Sequence, residues 1–375
     1  MDKVVRNPLS YFYYSIGFSV LMFAALWWET GSLALIWTAI VLSIMELAVS
    51  FDNAIVNAKI MERMSPFWRK AFITVGIFIA VIGMRFYLPI QIVSWLGGLS
   101  LIDAGYLAFT DAKRFAEILI SSHAVVSGFG GAFLMMIFLK YFIDAEREEH
   151  WLPFVETGLS KLGHQEEIQI LLVGAAAGLT AYIVGGDKGT QFLLSAVAGI
   201  AAHIVIDLIK NGLEAFDHKL QERSAAKSGN SMAKVAASGG FGMFLYLEVF
   251  DASMSFDGVI AAFAITNNIL VVAVGLGVGA VFVRSLTLMF FDTGSLATYR
   301  YLEAGAFWAI GGLSIFMFAS VVTHVPELFI SAYGGITIIV AFIHSVIANR
   351  RDRAEDAGIG LSKAVEERVE AGRAA

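Results

Sequence analysis

The sequence predicts an all-α fold: a polytopic transmembrane helix bundle of about ten spans, built as two inverted-topology repeats of a three-helix core. Composition, a regular series of apolar runs and an internal duplication predict it. The chain of 375 residues is 58% hydrophobic and only 15% charged, where a soluble domain carries about 25% charge. A spanning helix needs about 20 mostly apolar residues, and ten stretches reach or approach that length: 10–28, 33–58, 67–88, 117–143, 168–186, 190–211, 241–266, 269–291, 301–321 and 327–347. The first is too long, and lacks the small-residue cleavage site, to be a signal peptide. The run 89–108 can prolong the third helix, lie at the interface or make a further crossing.

Lys and Arg fix an orientation for ten spans. Twenty-one fall on the side holding both termini and three (Lys113, Arg114, Lys188) on the other, with Arg85 and Arg284 inside apolar runs. Both termini are thus expected in the cytoplasm and the protein in the cell membrane. An eleventh crossing at 89–108 would spoil the asymmetry. The first half with flanking spans covers 1–211, a cytoplasmic linker 212–239, the second half 240–348 and a charged cytoplasmic tail 349–375.

The duplication carries the functional information. Residues 46–55 read ELAVSFDNAI and 251–260 read DASMSFDGVI, so Glu46 matches Asp251 and Ser50-Phe51-Asp52 matches Ser255-Phe256-Asp257. Gly76 precedes Arg85 by nine residues, as Gly275 precedes Arg284. His123 precedes Gly130-Gly131 as Glu303 precedes Gly311-Gly312. The motif helices, 33–58 and 241–266, are the second and seventh spans, and the odd number of steps between them makes the copies run in opposite directions. Such repeats are frequent in secondary transporters, whose sites lie near the midplane.

Five acids fall inside these helices: Glu46, Asp52, Glu248, Asp251 and Asp257. Each costs roughly 2.5–3.5 kcal/mol in a membrane span, on the order of 12–18 kcal/mol together. They must be protonated, paired or bathed by water, each typical of an ion pathway. Glu46, Asp251 and Glu248 are expected to surround one ion at mid-membrane. On a straight helix Asp52 points about 120° away from the stripe Glu46, Ser50, Asn53, Asn57. Either the motif is unwound, eased by Gly258 in the second copy, or separate sites lie along a path. Two symmetric gates follow from residue depths: Asp52–Arg284 inside and Asp257–Arg85 outside. His123, Glu303 and Asn57 are candidates for the same path.

The phrases ELAVSFDNAIVNA and LEVFDASMSFDGVIAAFAIT resemble those of the TerC-like membrane family, in the LysE-type exporter superfamily. The family's first motif places Glu six residues before Asp-Asn, as Glu46 stands before Asp52-Asn53. Its second has Glu-x-x-Asp and a further Asp, as in Glu248, Asp251 and Asp257, with Gly258 where the family has Ser. The likeness covers spans 2–4 and 7–9, and the long connectors mark a divergent branch. It implies export of manganese through Glu46, Asp52, Asn53, Glu248, Asp251 and Asp257. A site rich in oxygen, in a chain with no cysteine, suits a hard divalent cation such as Mn²⁺, Ca²⁺ or Mg²⁺.

The expected partners are the lipid bilayer, a transported divalent ion and protons as the energy source; a homo-oligomer is compatible. No nucleic acid partner is expected, and no resident cofactor. No nucleophile–base pair or nucleotide loop points to an enzyme. The rival readings are a non-transporting membrane scaffold or stress-resistance factor, and an amino-acid exporter. His203 and Asp207, at i, i+4, are read as a structural pair. Gly174/Gly178 and Gly275/Gly279 have GxxxG spacing, read as close helix packing.

Overall fold

Inside lipid no water satisfies a bare backbone, so each apolar run must bond its own amides. Every long element described here is a helix, and no strand occurs among the described residues. The computed structural model describes residues 7–143, 150–161, 166–225, 241–266, 268–294, 298–323, 325–326, 329–330 and 332–351; within them the side chains of 166, 210, 213–225, 256, 257 and 264 are not described. The expected tail beyond 351 and the linker from 226 to 239 lie outside the described residues.

The helices are α1 (Tyr13–Thr30), α2 (Leu33–Val49), α3 (Phe51–Glu62), α4 (Pro66–Gly97), α5 (Leu101–Thr110), α6 (Ala112–Ser121), α7 (His123–Ile143) and α8 (Pro153–Ser160). There follow α9 (Glu166–Val184), α10 (Gly186–Ala225), α11 (Phe241–Ile265), α12 (Ile269–Thr293), α13 (Leu302–Val322) and α14 (Ala332–Arg351). Seven are long and apolar enough to cross a membrane, namely α4, α7, α9, α10, α12, α13 and α14, and the bent pair α2–α3 makes an eighth. The chain is a multi-pass membrane protein. Two of the ten expected spans fall outside this set. Helix α1 ends in the less apolar WWET, and α11 carries three acids, although both are long enough. Burial agrees with a lipid surround: Leu171, Tyr182 and Ile102 are exposed, while Glu46, Arg85, Asp251 and Arg284 are buried. Most of α7, α12 and α13 is buried, whereas little of α4, α9 and α14 is.

Three features differ from expectation, while the run 89–108 follows one of its expected courses. The run 89–108 makes no separate span: its first part prolongs α4 to Gly97, Gly98 turns the chain at φ +61°, and the rest enters the ten-residue α5. Span 117–143 is broken at Ser122, between α6 and α7. The sixth span continues as a 40-residue helix, α10. Within α4, residues Ile79–Tyr87 adopt π-helical bonding. Pro89 accounts for this, because it lacks an N–H and its ring crowds the carbonyl four residues back.

The motif helix is bent rather than unwound, and it bends in the first copy. Helices α2 and α3 meet at Ser50 at an angle of 52°. The Ser50 hydroxyl donates to Glu46 Oε1 (3.2 Å) at the break. Helix α11 runs unbroken through Gly258. That glycine instead gives room to Glu46, whose Oε2 lies 3.0 Å from where a Cβ would be.

Counted from His123 and Glu303, Gly131 corresponds to Gly311 and Phe138 to Phe318, and these residues make reciprocal contacts. A Cβ on Gly131 would meet the Phe318 ring at 2.8 Å, and one on Gly311 would meet Phe138 at 2.4 Å. Gly275 lies against Leu42 of α2, and Gly76 against Glu248 of α11. The second GxxxG pair serves as expected: α12 lies along α2, and a Cβ on Gly279 would come within 2.6 Å of Glu46 Cβ and 2.9 Å of the Ser43 carbonyl. Ser43 also donates to the Gly275 carbonyl (2.8 Å). The first pair does not pack: nothing lies within 4 Å of a Cβ on Gly174 or Gly178.

Gly279→Val should therefore overpack the α2–α12 contact and lower stability by about 1–3 kcal/mol. Gly174→Ala should leave stability unchanged or raise it by up to about 1 kcal/mol. Thermal unfolding of the two purified variants in one detergent checks the contrast.

Candidate functional site

Each half supplies one acid–arginine pair. Arg85, from the π segment of α4, donates through Nη2 to Glu46 Oε1 of α2 and to the Ser255 hydroxyl of α11 (3.3 Å). Its Nη1 donates to the Ala80 carbonyl of its own helix (2.7 Å). Arg284 of α12 pairs through Nη2 with Asp251 Oδ2 of α11 (3.4 Å) and stacks 3.6 Å above the Phe72 ring. All four charged groups are buried. Glu46 matches Asp251 and Arg85 matches Arg284, so the two pairs correspond.

The same core holds buried oxygens without hydrogen-bond partners among the described residues. Neither Glu248 oxygen has a hydrogen-bond partner among the described residues, nor do Asn53 Oδ1 and Asn57 Oδ1. Glu248 is 5% exposed and the two asparagines 1%. Asn57 Nδ2 donates to Asp251 Oδ1 (3.4 Å), which brings α3 and α11 together at this point. Gly76 makes room for Glu248, whose Oε1 lies 2.6 Å from where its Cβ would be. Asp52, in the first turn of α3, accepts the Asn53 N–H (2.9 Å), where the helix dipole favours a carboxylate. The four described acids of this core face two arginines. Two of these acids, Asp52 and Glu248, form no salt bridge among the described residues.

Several expectations need correction. The gate Asp52–Arg284 is not formed, because Arg284 is engaged by Asp251 and Asp52 by its own helix. The gate Asp257–Arg85 is not formed on the Arg85 side, which bonds Glu46; the Asp257 side chain lies outside the described residues. Glu46, Asp251 and Glu248 do not surround one point: Glu46 is held by Arg85, and no three carboxylates or imidazoles among the described residues could share an ion. His123 meets Ser127 and Ser320 (3.4 and 3.2 Å), and Glu303 pairs with Lys59 (2.9 Å), so neither bonds to the acids of the core. His203 and Asp207 stand 3.6 Å apart, with Lys140 on the same carboxylate.

Three features were not read from the sequence. Phe72 carries no mark of its role under Arg284. Ser43 reads as an ordinary small residue of a span. Glu156 lies in a connector yet is fully buried, accepting the N–H groups of Trp151 and Leu152 (3.1 and 3.0 Å) and Trp308 Nε1 (2.9 Å). The one available signal was Pro153 just before it, a helix start with an acid in its first turn.

Fold and site together define a helical multi-pass membrane protein with a buried, net-acidic core. The chain belongs to the DUF475 family, described as a protein of unknown function, whose model matches residues 51–352. That range takes in every charged residue of the core except Glu46. No curated protein and no solved structure matches the chain.

Arg85→Leu should strand the buried Glu46 carboxylate and lower stability by about 3–5 kcal/mol. The double variant Arg85→Leu/Glu46→Leu should recover most of that loss. Unfolding of both in detergent, against the wild type, measures the recovery.

Proposed function

We propose that the protein is a secondary-active transporter that moves a divalent cation through this core. The observation that carries the proposal is the surplus of buried acids over arginines. Asp52 and Glu248 form no salt bridge among the described residues, and the side-chain oxygens of Asn53 and Asn57 have no hydrogen-bond partner there. Leaving such groups bare in a low-dielectric interior is costly, and one divalent ion neutralises the surplus. The proposed seat centres on Asp251 and Asn57, which meet at 3.4 Å, with Asn53 and Asp52 on the helix of Asn57 and Glu248 on that of Asp251. An all-oxygen seat favours a hard ion. Mn²⁺ comes from the resemblance to TerC-like exporters, and that kinship belongs to the proposal.

The reciprocal contacts of matched glycines support two halves related by a two-fold axis, the architecture of alternating access. Ten spans with both termini in the cytoplasm, in the cell membrane, complete the reading, and the Lys/Arg asymmetry supports them. Export is driven by protons in this scheme. A second reading, a non-transporting scaffold, draws on the same ion pairs, which would then serve cohesion alone.

Reconstituted into liposomes, the wild type should pass Mn²⁺ down an imposed gradient, and Asp251→Asn should slow that flux at least about tenfold. Absence of flux for Mn²⁺, Ca²⁺ and Mg²⁺ alike rejects the transporter. A variant that loses stability while no flux changes favours the scaffold, and flux of amino acids instead of metals identifies the amino-acid exporter.

A further inference from the structure

The two acid–arginine pairs correspond in sequence but not in how firmly they are held. Arg85 is fixed on three sides by Glu46, Ser255 and the backbone of its own helix. Arg284 has one contact of 3.4 Å to Asp251, long for a charge-assisted bond, whose usual range is about 2.7–2.9 Å. Its Nη1 has no partner among the described residues. The Phe72 face below it supports a guanidinium without fixing its direction, since attraction to a ring quadrupole tolerates sliding. One turn from Asp251 on α11 waits a second acid, Glu248, with both oxygens unpartnered. Arg284 Nη2 and Glu248 Oε1 approach the same vacant point, 3.4 and 2.6 Å from where a Cβ of Gly76 would sit. The step from one acid to the other is short.

We infer that Arg284 is a built-in rival of the transported cation: it holds Asp251 in the empty protein and transfers to Glu248 when the cation takes Asp251. This rests on the transporter reading above and assigns Glu248 a role there, as the second berth of an arginine and not as a ligand. Charge permits the exchange, because Arg284 pairs with one acid in either position. With Arg284 on Asp251, Glu248 has no partner. With Arg284 on Glu248, Asp251 is released beside Asn57, where the cation of this proposal binds. The rival also limits affinity, because the ion must displace a tethered cation to bind, and the returning arginine helps to expel it. Arg85, anchored to its own backbone, stays in place throughout.

The test is titration of the purified full-length protein with Mn²⁺ alone, followed by intrinsic tryptophan fluorescence and by thermal shift. Arg284→Gln should bind Mn²⁺ about tenfold more tightly than the wild type, because the rival is gone. Glu248→Gln should bind about tenfold more weakly, because Arg284 has no second berth. The double variant should bind nearly as tightly as Arg284→Gln, since the berth no longer matters. If the double variant is instead as weak as Glu248→Gln, then Glu248 holds the ion directly and the inference is overturned. It is equally overturned if Arg284→Gln folds but binds no tighter than the wild type. Arg284→Lys, which lacks the planar fork and grips Asp251 less well, should tighten binding by about threefold, and weaker binding by it would count against the exchange even where Arg284→Gln does not fold. A wild type that gives no response to Mn²⁺ refutes the cation reading itself, and the exchange falls with it. Those results are distinguishable from a wild type that binds while its variants behave otherwise.

Discussion

A charge buried in a low-dielectric medium has to find its counter-charge within a few ångströms, and the packing of this protein follows from that requirement. Glu46 sits near the C-terminal end of α2, and its counter-ion comes from α4, thirty-nine residues later in the chain. For the two to meet without water, helices must approach closely around them. Gly279 brings α12 against the Glu46 stem, Gly258 leaves room for its carboxylate, and Ser43 ties α2 to the α12 backbone. These positions carry glycine or serine because a larger side chain would hold the helices apart at the point where a charge must be covered. Apolar side chains fill the rest of the interior, and others, such as Leu171 and Tyr182, face outward.

The contacts between Gly131 and Phe318 and between Gly311 and Phe138 are reciprocal, which supports the proposed two-fold relation of the halves. Gly275 at Leu42 and Gly76 at Glu248 fall one residue short of that correspondence, since Leu247 matches Leu42. Departures from this correspondence concentrate at the charged core. The first motif helix bends at Ser50 where the second is continuous, and the first arginine rides on a π segment where the second sits in a regular helix. The outcome is one tight pair and one loose one.

Much of this was legible in the sequence because the strongest signals are physical necessities. Apolar runs near 20 residues have to be helices in lipid, and acids inside them have to be compensated. The repeated Gly–Arg spacing marked residues that prove to touch matching partners. The partnering was misread for a specific reason. Depth along a straight helix assigned Arg284 to Asp52 and Arg85 to Asp257, but the 52° bend and the π stretch change the direction in which side chains point without leaving a sequence mark beyond Ser50 and Pro89. The hold of Phe72 on Arg284 was hidden as well, because a phenylalanine among thirty looks like lipid-facing mass. Glu156 was passed over since a charged residue in a connector is ordinarily solvated.

The π stretch of α4 bears on how the two halves came to differ. Each i→i−5 bond encloses one residue more than the α bond it replaces, so the same number of residues turns through a smaller angle than in an α-helical counterpart. Gly76 and Arg85 keep the sequence separation of Gly275 and Arg284, yet the side chains leave their helices at different azimuths. Equal spacing on paper has become unequal aim in space. A duplicated chain can thus acquire two dissimilar arginines without any change in the residues themselves, by altering the winding of the backbone that presents them.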